Sequence, residues 1–426
     1  MTTTDAQAPT APAAAPLDVA TCPIASLDVY DADQYSTALP LAALRRLRAE
    51  APVFRHVDPQ REDGFWLVTR HADVEQISRN PELFSSHAQT ALLQDLDAES
   101  LAQTQLLMLN QDPPDHTRTR SLVNRGFTPR MIGRLEERIY ATCCDIVDAA
   151  LGRGEGDFVT LCAAELPLVV IAELMGVPQE DRHKVFEWSN KMIGFDDPEF
   201  QNNPEDGKQA SLDMFMYANS LAEVKKAALG DDIVSKLLTP DESGNALNEL
   251  EFDMFFLLLA VAGNETTRNA LSGGMLALIE NPEQWDRLRA DHSLLPSAAD
   301  EIVRWVSPVI QFRRTAMADC VIGSQPVKAG DKILINYTSA NRDETVFTDP
   351  DTFDIGRSPN PHLGFGGGGP HFCLGRHLAK LEVEQLLRAL VERVERVELV
   401  RPARRLRSSF INGIKEMPVR FVPAAG

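Results

Sequence analysis

No stretch of this 426-residue chain stays apolar for long. The longest such run, Met254 to Ala262, falls well short of the roughly 20 residues a membrane-crossing helix needs, so no membrane span is expected. Positive charge is scarce. The chain carries 42 Lys and Arg against 62 Asp and Glu, and the formal net charge of −20 argues against nucleic acid or an anionic membrane as a partner. The six cysteines, Cys22, Cys143, Cys144, Cys162, Cys320 and Cys373, lack the paired C-x-x-C spacing of a metal site and suit a reducing, cytoplasmic setting. Thr2 to Pro16 lacks the basic start and apolar centre of a secretory signal; rich in Ala, Thr and Pro, it reads as a disordered tail. No Gly/Ser linker or repeat follows it, so the expected organisation is a disordered tail and lead-in over 1–36 and a single domain over 37–426.

Amphipathic helical patterns dominate from Leu41 to Leu278. Short strand-like runs occur at Phe65 to Thr69, Cys320 to Ile322, Lys332 to Ile335 and Val419 to Val422, with turn chemistry at Gly323 and Ala329-Gly330-Asp331. The expected fold class is mainly α with a smaller β part.

One cysteine stands apart. Cys373 follows Gly364-Phe365-Gly366-Gly367-Gly368-Gly369-Pro370-His371-Phe372 and opens Leu374-Gly375-Arg376-His377, where a glycine-rich loop meets a helix start. Backbone N–H groups and the helix dipole favour an anion there, so a thiol of ordinary pKa roughly 8.5 is expected to be held as thiolate, a strong axial ligand for iron. Glycines beside it would let a flat macrocycle approach the backbone. Two plainer readings compete: a phosphate-cradling loop, although the Gly-Lys-Ser/Thr ending is missing and no strand precedes the run, and a buried cysteine acting as a small hydrophobe.

A second segment, Met254 to Thr267, begins apolar on all sides and turns polar at Asn264-Glu265-Thr266-Thr267 without ending. Gly263 leaves a gap and Thr266 can bond into or away from the helix ladder, so a local widening is expected. The plain alternative is a satisfied Thr266 and a Glu265 paired with a cation such as Arg268. Glu301 and Arg304, three apart, share a helix face, as do His116 and Arg120, four apart after a proline start.

The segment Phe365 to Gly375 resembles the haem-binding loop of the cytochrome P-450 family: Phe, two residues, Gly, three residues, Cys, one residue, Gly. It departs by one extra glycine, since Phe365 lies eight residues before Cys373, not seven. That longer form, with Asn412-Gly413-Ile414-Lys415, resembles a subgroup that oxidises steroid side chains and methyl-branched lipids. The resemblance spans about residues 40 to 420. It implies a triangular, helix-rich body around a buried haem b. Cys373 would be the axial ligand, with Phe365 and Gly375 in its loop. Ala262 to Thr266 resembles the family's Ala-Gly-x-Glu/Asp-Thr segment over the distal haem face, where Gly263 would make room for dioxygen, Thr266 would hydrogen-bond on the oxygen side and Glu265 would relay protons. His116, Arg120, Arg314 and His371 match the family's propionate contacts. Arg357, after Phe347, Pro350 and Phe353, would join Glu301 and Arg304 in a structural cluster behind the loop. The substrate pocket would be lined by the segment around Leu92 to Met108, by Leu258, Ala262 and Thr266, by Val309 and Phe312 within Val306 to Phe312, and by Phe410 and Ile411 within Ser409 to Asn412.

The implied activity is insertion of one atom of dioxygen into a C–H bond of an apolar substrate, a steroid side chain or methyl-branched lipid, with a terpenoid as the alternative. With no flavin- or nicotinamide-binding segment in the chain, electrons would come from a separate ferredoxin and ferredoxin reductase. Arg118, Arg125, Arg130, Arg134, Arg376 and Lys380 could form the docking patch. A haem-binding sensor or carrier without turnover, and a thiolate-haem isomerase or peroxide-using enzyme, are the competing readings from other classes.

Overall fold

The computed structural model describes residues 19–57, 64–193, 196–200, 203–230, 232–241 and 244–424. The helices that build the site are α1 (Asp115–Asn124), α2 (Glu136–Arg153), α3 (Glu165–Met175), α4 (Arg182–Ile193), α5 (Pro204–Ala227), α6 (Glu249–Glu280), α7 (Leu295–Val306) and α8 (Arg376–Arg393). Helix α6 is the axle. At 32 residues it runs about 48 Å, and it starts at a capping box in which Asn248 and Glu251 satisfy each other's backbone N–H groups. Phe252 to Leu257 bury around the whole helix circumference, so α6 is wrapped by neighbours rather than laid on a surface. It packs against α3, α4, α5, α7 and α8, within the largest apolar core.

A five-stranded sheet flanks this helical body. Its strands are β1 (Val53–His56), β2 (Phe65–Val68), β3 (Phe84–Ser85), β4 (Gln311–Ala316) and β5 (Lys332–Asn336), in the order β1-β2-β5-β4-β3. Strands β4 and β5 pair antiparallel, with Phe312 opposite Ile335 and Arg314 opposite Ile333. The two-residue period of β4 sends Phe312 and Arg314 to one side, into the site, and Arg313 to the other, where it pairs with Asp95 at 2.8 Å. A second sheet orders Glu155–Asp157, Pro418–Pro423 and Val394–Leu399 antiparallel. The strand-like runs read from the sequence therefore all form strands.

The expected tail, Thr2 to Pro16, lies outside the described residues. Upstream of the expected domain start at residue 37, Leu27 and Val29 already share a core with Leu44, Leu47 and Phe54, and Tyr35 is buried. The widening expected near Gly263 is absent. Helix α6 is regular throughout, because the Thr266 hydroxyl donates to the Ala262 carbonyl at 2.7 Å and leaves the ladder intact; the π turn lies at Val159–Ala163. Among the described residues, no helix is long and apolar enough to cross a membrane.

Candidate active site

A cavity with about 1480 Å³ of atom-free space, counted out to its open mouth, lies between α6 and the segment that leads into α8. Cys373 faces it from below, at the end of a loop whose path is dictated by glycine. Gly366, Gly368 and Gly369 have φ of +98°, +83° and +71°, a region that L side chains rarely adopt. A Cβ on Gly369 would sit 2.2 Å from the Ser78 carbonyl oxygen, so the loop lies directly on the preceding chain. The turn still closes, with the Cys373 N–H donating to the Phe365 carbonyl at 2.9 Å and the Gly366 N–H to the Leu363 carbonyl at 2.8 Å.

Burial and the loop act on the Cys373 thiol in opposite senses. Its exposed surface faces the cavity rather than bulk solvent, and burial pushes the thiol above its usual range. The N–H groups of Gly375 and Arg376 and the charges of Arg120 and Arg376 oppose that push without overcoming it.

Behind the loop, Glu301, Arg304 and Arg357 form the expected cluster. Arg304 grips Glu301 with two hydrogen bonds of 2.7 Å, and Arg357 adds contacts of 3.2 and 3.3 Å. Glu301 and Arg304 are fully buried, so this is no solvated surface pair. Asn360 donates to Glu301 at 3.2 Å and Arg304 donates to the carbonyls of Asn341 and Pro350 at 2.9 Å, which ties the cluster to the strand-free segment ahead of the cysteine loop.

Four nitrogen-bearing side chains converge at the cavity edge. His116 and Arg120 come from one face of α1, Arg314 from β4 and His371 from the loop. The two imidazole rings lie 4.4 Å apart, and His116 Nδ1 and His371 Nε2 are buried without a partner. Arg120 donates to the Phe372 carbonyl at 2.5 Å and Arg314 to the Arg313 carbonyl at 2.7 Å, and among the described residues no carboxylate lies within ion-pair distance of either. Burial first, then Arg120 and Arg314, hold His116 down at about 4; burial and the same charges push His371 below its ordinary value. Such a group of cations and orphaned donors calls for anions.

Above Cys373, Ala262, Gly263, Thr266, Thr267 and Ala270 of α6 form the opposite wall. The space beside Gly263 is filled by protein: a Cβ there would meet Ile171 Cδ1 at 2.6 Å, so the glycine lets α3 pack close. Glu265 does not line the cavity. It is buried and paired with Arg268, whose Nη1 donates to Asn190 at 3.0 Å, and its Oε1 has no partner. Burial drives its carboxyl up against the opposing pull of Arg268.

Of the expected substrate contacts, Leu258, Ala262, Val309 and Phe312 line the cavity. Phe410 and Ile411 do not: Phe410 stacks behind Phe312 with ring centroids 5.6 Å apart, and Ile411 is buried in a bridge to Val309. From the segment Leu92 to Met108, only Met108 reaches the wall. The sequence reading missed Phe255, Leu259 and Ile171. The first follows from Leu258 by helical period, whereas Ile171 arrives from another helix with no local signal. It also missed Glu382 of α8, a cavity-lining carboxyl whose Oε2 has no partner and which burial alone pushes well above its ordinary range.

Comparison with known proteins agrees with this geometry. The Cytochrome P450 family model matches residues 174–411. A steroid C26-monooxygenase of Rhodococcus jostii is 44% identical over 94% of this chain and 85% of that protein. A methyl-branched lipid omega-hydroxylase of Mycobacterium bovis is 41% identical over 84% of each chain. A Mycobacterium marinum cytochrome P450 solved in complex with pseudoionone superposes with a TM-score of 0.87 at 37% identity, covering 93% of this chain and 98% of that one. The chain belongs to the cytochrome P450 family. It is a haem-thiolate monooxygenase acting on apolar substrates, and it takes its electrons from redox partners.

Proposed function

We propose that this enzyme hydroxylates the hydrocarbon end of an elongated lipid, a steroid side chain or a methyl-branched chain. The single observation that carries the reading is the composition of the wall facing Cys373. Phe255, Leu258, Leu259, Ala262, Val309 and Phe312 are all apolar, and the charged groups of the cavity gather elsewhere. With hydroxyl groups at Thr266 and Thr267, this wall suits a largely apolar end group. The names of the steroid C26-monooxygenase and the omega-hydroxylase point the same way. A terpenoid is the second reading, favoured by the pseudoionone complex of the Mycobacterium marinum relative.

The residues present fit a haem. The sulfur of Cys373 would ligate its iron, and His116, Arg120, Arg314 and His371 would receive its two propionates. Bound there, haem supplies dioxygen activation and C–H oxidation, with the overall balance of one dioxygen, two electrons and two protons giving one hydroxyl group and one water. The protein's part is binding, orientation and proton supply. Because Thr266 Oγ1 spends its own proton on Ala262, it faces the cavity as an acceptor and can hold a water or a hydroxyl in place. Glu265 would deliver protons by exchanging its contact with Arg268 for one toward Thr266.

Electrons would come from a ferredoxin served by its reductase. On the outer side of the cysteine loop, Arg376, His377 and Lys380 share a concave surface with Glu136, Asp300 and Glu384. Lys380 is paired with Asp300 and Arg118 with Glu251, while Arg125 is tied to the Leu122 and Thr239 carbonyls. That leaves Arg130, Arg134 and Arg376, all exposed and without a carboxylate partner among the described residues, as the free charges of the expected patch.

The test is an optical titration of the ferric holoenzyme with steroids, methyl-branched fatty acids and monoterpenes, followed by product analysis with a ferredoxin system. A saturable Soret shift with a steroid or branched lipid, and a terminal alcohol as product, is the expected result; shifts with monoterpenes alone would overturn the lipid reading.

A further inference from the structure

Resting on the reading that His116, Arg120, Arg314 and His371 receive the haem propionates, we propose that the Tyr337 hydroxyl is a further donor to them, on the Arg314 side of the cavity. The strands aim it there. Directly opposed residues of an antiparallel pair point to one side of the sheet, so Ile335 shares the side of Phe312 and Ile333 that of Arg314. Tyr337 follows two residues after Ile335, keeps to the same side and lines the cavity together with Phe312 and Arg314. Its ring meets the Phe312 ring edge to face, with centroids 6.2 Å apart. Its backbone N–H donates to the Ile310 carbonyl at 2.8 Å, and the turn it opens is capped by Asn336, which accepts from the Ser339 N–H at 2.8 Å. Ring and backbone are therefore both held against β4.

The hydroxyl is what remains without a partner. Tyr337 is buried, and its side chain makes no hydrogen bond among the described residues, a costly state for a polar group out of water. Arg314 is the charge that acts on it, so guanidinium and hydroxyl stand close together. Asp112, whose charge also reaches Arg314, spends one carboxylate oxygen on the Ser85 hydroxyl and the other on the Ser86 N–H at 2.9 Å. Arg314 itself gives one N–H to the Arg313 carbonyl at 2.7 Å and keeps the others for a different acceptor. Burial holds the Tyr337 hydroxyl above its ordinary range against the pull of Arg314, so it stays protonated and donates. An uncharged substrate oxygen would satisfy Tyr337 and leave Arg314 without an anion. A carboxylate, with about four acceptor positions, satisfies both.

The experiment uses the substrate-free ferric holoenzyme in native form, as Tyr337→Phe and, for reference, as Arg120→Leu. Tyr337→Phe keeps the ring and its contact with Phe312 and removes the hydroxyl alone. Two quantities are read: the rate of haem transfer to apomyoglobin, and the propionate bending band in the resonance Raman spectrum, which a loss of folding stability would not move. Tyr337→Phe is expected to shift that band and to lose haem about tenfold faster than the native enzyme, the worth of one hydrogen bond to a charged group, and Arg120→Leu to change both quantities as well. An unmoved band in Tyr337→Phe, beside a shifted one in Arg120→Leu, would overturn the Tyr337 assignment and leave the propionate site standing. Native behaviour of both variants would overturn the placement of the propionates and this inference with it.

Discussion

Replacing Gly369 by alanine tests how the cysteine loop is held. The residue has φ of +71°, and a Cβ there would stand 2.2 Å from the carbonyl oxygen of Ser78 and 3.1 Å from Arg79 Cα, both backbone atoms that cannot swing aside. An L side chain in this region costs about 1–2 kcal/mol, and overpacking against a fixed neighbour adds about 1–3 kcal/mol. Gly369→Ala should therefore lose about 2–5 kcal/mol. With an unfolding entropy near 2.1 cal/mol/K per residue, that is a fall of roughly 2–6 °C in the melting temperature of a chain this long, read by calorimetry beside haem content from the Soret band. Gly152→Ala is the control, since a Cβ there meets no atom within 4 Å and the site lies in α2, where alanine should add about 0.5–1 kcal/mol. If Gly369→Ala melted and retained haem like the native protein, the loop would not lie on Ser78.

Three further outcomes follow from the site. Thr266→Ala should consume reducing equivalents at a near-native rate while product falls several-fold and hydrogen peroxide appears, since the acceptor held by α6 is lost; tight coupling in that variant, read by peroxide and product yields, would remove the proposed role. Glu382 is buried, and its folded-state pKa is raised, so its contribution is fully present below its unfolded value of about 4.3 and is lost as pH rises through the raised value. Glu382→Gln should accordingly flatten the decline of stability between pH 5 and pH 8, a slope of up to about 1.4 kcal/mol per pH unit, whereas parallel native and variant curves would show that the group ionises freely. Reversing Arg130 and Arg134 to Glu should weaken ferredoxin-supported turnover several-fold and spare peroxide-driven turnover, and equal losses in both assays would place docking elsewhere.

Much of the site was legible because the chemistry is local. The cysteine loop, the α6 segment and the Glu301-Arg304 pair each lie within one short stretch, where spacing alone puts the groups together. The four propionate candidates come from three separate elements, and it was the family resemblance rather than spacing that joined them; the structure brings them to one cavity edge. What escaped was whatever depends on packing between elements. Ile171 fills the space beside Gly263 from α3, so that glycine serves close helix packing. The close approach at Gly369 comes from Ser78, some 290 residues earlier in the chain. Glu265 reads as a relay from its place beside Thr266, yet in the structure it pairs with Arg268, which in turn donates to Asn190, because adjacent helical residues point about 100° apart. Burial also acts on Cys373 in a way no sequence count could show, pushing its thiol up against the pull of the helix start and two arginines.

The central claim is that Cys373 ligates the haem iron through sulfur. The most direct measurement is the Soret spectrum of the reduced carbon monoxide complex of the native enzyme beside Cys373→His. The account predicts the long-wavelength band of thiolate ligation in the native enzyme and its replacement in the variant by the shorter-wavelength band of imidazole ligation. A native complex already of the imidazole type, or a long-wavelength band that survives in Cys373→His, would contradict it.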